Sequence, residues 1–157
     1  MRKGNTAWKI IFLLLTVLWT FQIFRRSGMT SELSHMESLS VLELVRRIFS
    51  GVTMHFIRKA AHFAEFFLLG IISWAAVFSF YKSSFLIPGA YCLLIACLDE
   101  GLQCMIPGRS GEVGDVVLDF SGSFLAILIA VLTAVVLKRR SQGGTPNGGE
   151  QNTGKKV

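Results

Sequence analysis

Arg58, His62 and Glu65 follow one another at intervals of four and three residues, Asp99 and Gln103 are again four apart with Glu100 between them, and Arg109 and Asp115 form a third polar group. Residues at these spacings share one face of a helix. His62 and Glu65 could therefore be hydrogen-bonded partners, and Asp99 could work with Gln103, with Glu100 about 100° around the axis. A histidine beside a glutamate, with two arginines and several carboxylates, is the inventory of an acid/base site with anion anchors. We read His62, Glu65, Asp99 and Glu100 as candidate catalytic residues and Arg58, Gln103, Arg109 and Asp115 as candidate ligand-binding residues. The arginines would hold an anionic head group through charge-assisted hydrogen bonds, and His62 with Glu65 would move a proton or orient the ligand. Carboxylates and His62 could ligate a divalent ion, but there is no HExxH or cysteine-ligand pattern, so metal and cofactor are left unknown. An ion-pair network locking helices together accounts for the same residues. No serine or cysteine nucleophile accompanies His62, so water would have to serve in an enzyme, and the choice between enzyme and scaffold stays open.

These groups sit at the ends of apolar runs. The chain has 157 residues, of which 52% are hydrophobic and 17% charged, and its mean hydropathy is +0.53. That apolar fraction exceeds the norm for a soluble domain. Runs of about the length needed to cross a bilayer lie at Trp8 to Phe24, Phe63 to Phe80, Phe85 to Ile106 and Val116 to Leu137. A charge at the centre of such a helix costs roughly 2.5 to 3.5 kcal/mol, so one found there usually has a partner or a function. Arg2, Lys3 and Lys9 give the first run the basic front of a signal peptide, but Arg25 and Arg26 follow it instead of a small-residue cleavage site, which predicts an uncleaved anchor.

The expected fold is an all-α membrane protein, with four transmembrane helices plus an interfacial amphipathic helix in the first loop. Residues 1–140 form the transmembrane domain and residues 141–157, almost without large apolar side chains, a disordered tail. In the loop, Ser40 and Glu43 have capping-box spacing, with Val41, Val45, Ile48 and Val52 opposite Glu43, Arg46, Arg47 and Ser50. Pro88 fits a first helical turn, and Pro107–Gly108 a tight turn. If the spans alternate in direction, the start of the second, the end of the third and the start of the fourth meet at one membrane surface. The N-terminus, Lys82, Lys138, Arg139 and Arg140 favour cytoplasmic termini against Arg25, Arg26, Arg46, Arg47, Arg58 and Lys59. The polar groups then lie on the extracytoplasmic side.

Arg58, Lys59 and Arg109 would face Glu65, Asp99, Glu100, Asp115 and Asp119, an acidic surplus with room for a cation, a protonated carboxyl group or a charged His62. The net charge of +6 is assigned to orientation and to anionic lipid head groups, with no nucleic-acid partner. Cys92, Cys97 and Cys104, all in the third run, are assigned to packing. His35 and His55 are read as solvated, Trp8, Trp19 and Trp74 as span or interface aromatics, and Gly122 as a site of close helix packing.

IRKAAHFAEF at residues 57 to 66, LDEGLQ at 98 to 103 and PGRSGEVGD at 107 to 115 resemble the VanZ family of small bacterial membrane proteins. The match in order and spacing runs from Arg58 to Gly122. It departs where Arg25, Arg26, Ser27 and Gly28 replace the usual Ser-Ser-Gln stretch, and where Asp119 replaces a common Asn. The family is named for a protein that confers low-level teicoplanin resistance. The resemblance implies a multi-pass protein of the bacterial cytoplasmic membrane whose partner is a membrane lipid or glycolipid, with a polar pocket open to the outer leaflet. It implies no established reaction and no particular protein partner.

Overall fold

A computed structural model describes residues 6–46, 51–81, 85–109 and 111–143. Arg2, Lys3, Arg47, Ile48, Ser50, Lys82 and the tail from residue 144 onward lie outside the described residues, as do the side chains of His35, Ser40 and Val41. Five helices follow in order: α1 Thr6–Ser27, α2 Ser31–Arg46, α3 Met54–Phe80, α4 Leu86–Cys104 and α5 Val113–Gly143. All but α2 are long and apolar enough to cross a membrane. Among the described residues there is no strand.

The apolar runs underestimate the helices at the ends that matter. α3 begins at Met54 and not near Phe63, so Arg58, Lys59 and His62 are helical. Its start is fixed by Thr53, whose hydroxyl accepts the Phe56 N–H at 3.3 Å, satisfying one of the donors a helix leaves open at its N-terminus. At 27 residues α3 is about 40 Å long, longer than the roughly 30 Å hydrocarbon core. Its first turns can therefore stand at the interface while the rest crosses. α5 runs past Arg140, where the tail was expected to begin, to Gly143.

The interfacial helix is present but differently placed. α2 begins at Ser31, so Ser40 stands within the helix and not at its N-terminus. Glu32 in its first turn suits the positive end of the helix dipole. Val52 lies beyond its end, where its carbonyl accepts from Arg46 Nε at 3.1 Å. This bond ties the end of α2 to the start of α3. Leu42 is buried, while Leu33, Met36 and Leu44 are exposed and at spacings that group them on one side, a surface suited to the membrane interface.

Lys9 near the start of α1 lies over the Phe80 ring at the end of α3, and Arg26 at the end of α1 pairs with Glu65. The two helices therefore run antiparallel. The core between the spans is Ile23, Phe66, Leu69, Cys92, Ile95, Ala96 and Ile127. Cys92 is buried as packing predicts, but Cys97 and Cys104 lie on the outer surface. α3 and α5 approach backbone to backbone. A Cβ on Gly70 would come within 2.6 Å of the Ser123 carbonyl oxygen, and one on Gly122 within 2.5 Å of the Phe63 carbonyl oxygen. Small residues at both points permit this contact, which brings His62, next to Phe63, opposite Asp119, one turn before Gly122. Gly108 turns the chain after α4 with φ 78°, a conformation that costs a glycine little.

Candidate functional site

The end of α1, the start of α3, the end of α4 and the start of α5 meet in one polar cluster. Ser27, the last residue of α1, bridges two of the predicted groups. Its hydroxyl donates to Asp99, and its carbonyl accepts from Arg109 Nη1 at 2.9 Å. Gln103 Nε2 donates to Asp99 Oδ2 at 3.0 Å and to Glu100 Oε1 at 3.2 Å, as the spacing along α4 predicts. Glu100 also accepts the Glu112 N–H at 2.9 Å, which pins the turn onto α4. Gly111 makes this possible, since a Cβ there would stand 2.8 Å from the Glu100 carbonyl oxygen.

The expected His62–Glu65 pair is replaced by longer-range partners. Glu65 forms an ion pair with Arg26 of α1, and Trp19 Nε1 donates to the Glu65 backbone carbonyl at 2.9 Å. Helical spacing put His62 and Glu65 on neighbouring positions, but an arginine from another helix is the better partner for a carboxylate because the pair is charge-assisted. His62 turns its Nδ1 toward Asp119 instead, at 3.9 Å from Oδ1. Asp115 pairs with Lys59.

His55, Arg58, Lys59, His62, Gln103, Gly108, Arg109, Glu112 and Asp115 line a polar cavity of about 120 Å³. His55, expected only to be solvated, is exposed at its rim. Arg58 forms no ion pair among the described residues, so its guanidinium is available to the cavity. Arg109, in the turn between spans, is pushed below its ordinary pKa by burial and then by the neighbouring Arg58 charge. A guanidinium still stays protonated at any working pH, so both arginines bring positive charge.

All eight predicted site residues thus belong to one end of the bundle, with Asp99, Glu100 and Gln103 buried. Arg26, Ser27 and Asp119 were not among them. In sequence Arg26 stands as an orientation charge and Asp119 as one of several acids; the signal for Asp119 is its position four residues after Asp115 in an apolar run. Asp119 is fully buried and neither of its oxygens has a hydrogen-bond partner, nor does His62 Nδ1 or Arg109 Nε. Native proteins satisfy almost all such atoms. His62, Asp99 and Asp119 each offer one ligand atom within 4.8 Å of the others, and they form the one such group among the described residues.

Comparison with the curated proteins and with the solved structures found no match. The family model described as VanZ/LLP1 matches residues 12–136, which includes the end of α1, the whole of α3 and α4 and the site at the start of α5. This multi-pass membrane protein belongs to the VanZ/LLP1 family.

Proposed function

We propose that the protein binds or chemically alters an amphiphilic envelope molecule, a membrane lipid or glycolipid, at the outer leaflet of the bacterial cytoplasmic membrane. The observation that carries this reading is the polar cavity beside buried groups with no partner: Asp119 and His62 Nδ1. A cluster serving only to lock helices gains nothing from uncompensated buried atoms, each of which costs about 1 to 3 kcal/mol. At about 120 Å³ the cavity holds a few waters' volume, enough for a phosphate- or carboxylate-sized anion. The rest of the amphiphile would stay in the bilayer.

Arg58 and Arg109 anchor that anion by charge-assisted hydrogen bonds. His62 is the proton-handling group on this reading; Asp99 and Gln103 fix Ser27, whose carbonyl holds Arg109, Glu100 fixes the turn at Glu112, and Asp115 holds Lys59 beside the cavity. Glu65, already paired with Arg26, orients α3 against α1. By changing a lipid-linked target or a surface glycolipid, the protein would contribute to low-level glycopeptide resistance of the teicoplanin type. A second reading, a non-enzymatic scaffold or modulator of antibiotic access, draws support from the Arg26–Glu65 and Lys59–Asp115 pairs.

The test is a lipid and glycolipid comparison of membranes with and without the protein, joined to teicoplanin susceptibility, with His62→Gln as the variant. Gln keeps hydrogen-bonding capacity but does not titrate. A chemical species that changes with wild type and reverts with His62→Gln at normal membrane abundance supports the enzyme. Unchanged lipids would leave the scaffold, and unchanged lipids with unchanged susceptibility would remove both envelope roles.

A further inference from the structure

We infer that His62, Asp99 and Asp119 form a binding site for one divalent transition-metal ion, of the Zn²⁺ or Mn²⁺ kind, set between α3, α4 and α5. This goes beyond the reading above and shares its residues, so its test uses ion retention and not a lipid product. Four observations carry it. His62, Asp99 and Asp119 each present a ligand atom within 4.8 Å of the others, so a small inward shift of the side chains, to the roughly 4.4 Å or less that bonds of about 2.0 to 2.2 Å allow, lets one ion bridge all three. Asp119 has no exposed surface and neither oxygen has a donor, although an unpaired carboxylate in such a place costs several kcal/mol. His62 Nδ1, facing it, is also buried without a partner. Two carboxylates and one neutral imidazole carry a charge of −2, which a divalent cation balances.

The surroundings fit as well. Asp99 is already oriented by Ser27 and by Gln103, the outer hydrogen bonds that metal-bound carboxylates require. Of the basic groups around it, Lys59 pairs with Asp115 and Arg26 with Glu65, while Arg58 and Arg109 line the adjoining cavity and would face an anion there. The imidazole suits Zn²⁺ and the two carboxylates admit Mn²⁺, whereas Mg²⁺ and Ca²⁺ prefer oxygen alone. Three protein ligands leave a coordination position free, as in zinc sites that polarise a bound oxygen. His62 also lines the cavity, so that position adjoins the proposed anion site.

The experiment uses the full chain, tag-free, in lipid nanodiscs, stripped with chelator and then dialysed separately against Zn²⁺ and Mn²⁺. Wild type should retain about one ion per chain through desalting. Asp119→Asn should bind at least about tenfold more weakly, and Ser27→Ala, which loosens only Asp99, about 10- to 100-fold more weakly. His55→Gln, which removes an exposed imidazole near the cavity, should bind as wild type does. X-ray absorption on loaded wild type needs no variant, and should give a first shell of nitrogen and oxygen only. Retention of neither metal by wild type would overturn the site, leaving Asp119 to carry a proton. Equal binding by a folded Asp119→Asn, or a sulfur shell from the cysteines, would overturn it too. A lipid phenotype that survives while ion binding fails would separate this inference from the function proposed above.

Discussion

At the polar end of the bundle side chains reach across helices: Arg26 to Glu65, Ser27 to Asp99, Lys59 to Asp115 and Arg109 to the Ser27 carbonyl. Midway along the bundle Thr20 still meets the Tyr91 hydroxyl at 2.7 Å and Ser73 the Cys92 thiol at 3.4 Å across helices, but near the opposite end of α3 and α5 hydroxyls turn back on their own helix. Ser79 donates to the Ala76 carbonyl at 2.6 Å and Thr133 to Ile129 at 2.8 Å. Between α3 and α5 that end carries an apolar groove of about 510 Å³ lined by Ile71, Trp74, Phe78, Ile129 and Leu137 among others. In a bilayer, apolar side chains gain little by leaving lipid for protein, so close packing and interhelical hydrogen bonds decide how spans associate. The polar end therefore specifies which helices meet and at what height. It also holds more buried polar atoms than it satisfies, which the far end does not among the described residues.

The sharpest way to separate the two ends is chemical access. In a background with Cys92, Cys97 and Cys104 replaced by alanine, Glu112→Cys at the polar end and Tyr81→Cys at the other are both at exposed positions. If the polar end faces outward, an impermeant thiol reagent applied to intact cells labels Glu112→Cys and spares Tyr81→Cys until the cells are permeabilised. The reverse pattern would turn the cavity toward the cytoplasm and end the outer-leaflet proposal.

Next in size is the junction between the two regions. Gly122→Leu forces a side chain against the Phe63 carbonyl, where even a Cβ meets oxygen at 2.5 Å. Backbone cannot yield as a flexible side chain does, so the loss should be about 3 kcal/mol or more, read as a collapse in membrane abundance and thermal resistance. Normal abundance would mean that α3 and α5 can separate without harm, and the close approach would no longer explain why His62 stands opposite Asp119.

The spans were legible because a run of apolar residues is a local property, and so was the gathering of the polar groups, which follows from alternating direction. What the sequence concealed was non-local or weakly patterned. α2 starts at Ser31 although SELSHMES lacks a sustained apolar stripe, while the capping-box spacing of Ser40 and Glu43 points to a later start. Spacing identified Glu65 but not its partner, because Arg26 comes from a helix 39 residues away in sequence. The same limit hid Ser27, a small residue beside two arginines with no chemical signature until Asp99 and Arg109 close on it.

Asp119→Asn probes the surplus at the polar end. Replacing a buried acid that has no hydrogen-bond partner by an amide able to donate toward the facing His62 Nδ1 should raise the thermal resistance of chelator-treated protein, by about 1 to 2 kcal/mol, while weakening function, the trade-off expected where a site is held at a cost to stability. A fall in resistance would make Asp119 a structural partner, and the contrast between the two ends would lose its functional meaning.

The smallest effects come from making one substitution at both ends. Ser27→Ala leaves Asp99 with the Gln103 donor alone, and a buried carboxylate short of a donor should cost about 1 to 2 kcal/mol. Ser79→Ala removes only a bond to the serine's own helix, one that offers the backbone carbonyl a second partner it does not need, so the change should stay within about 0.5 kcal/mol. Thermal unfolding of both variants in nanodiscs measures the difference directly. Equal losses would show that hydroxyls matter alike throughout the bundle, and cross-helix polar contacts would then have no special part in setting its arrangement.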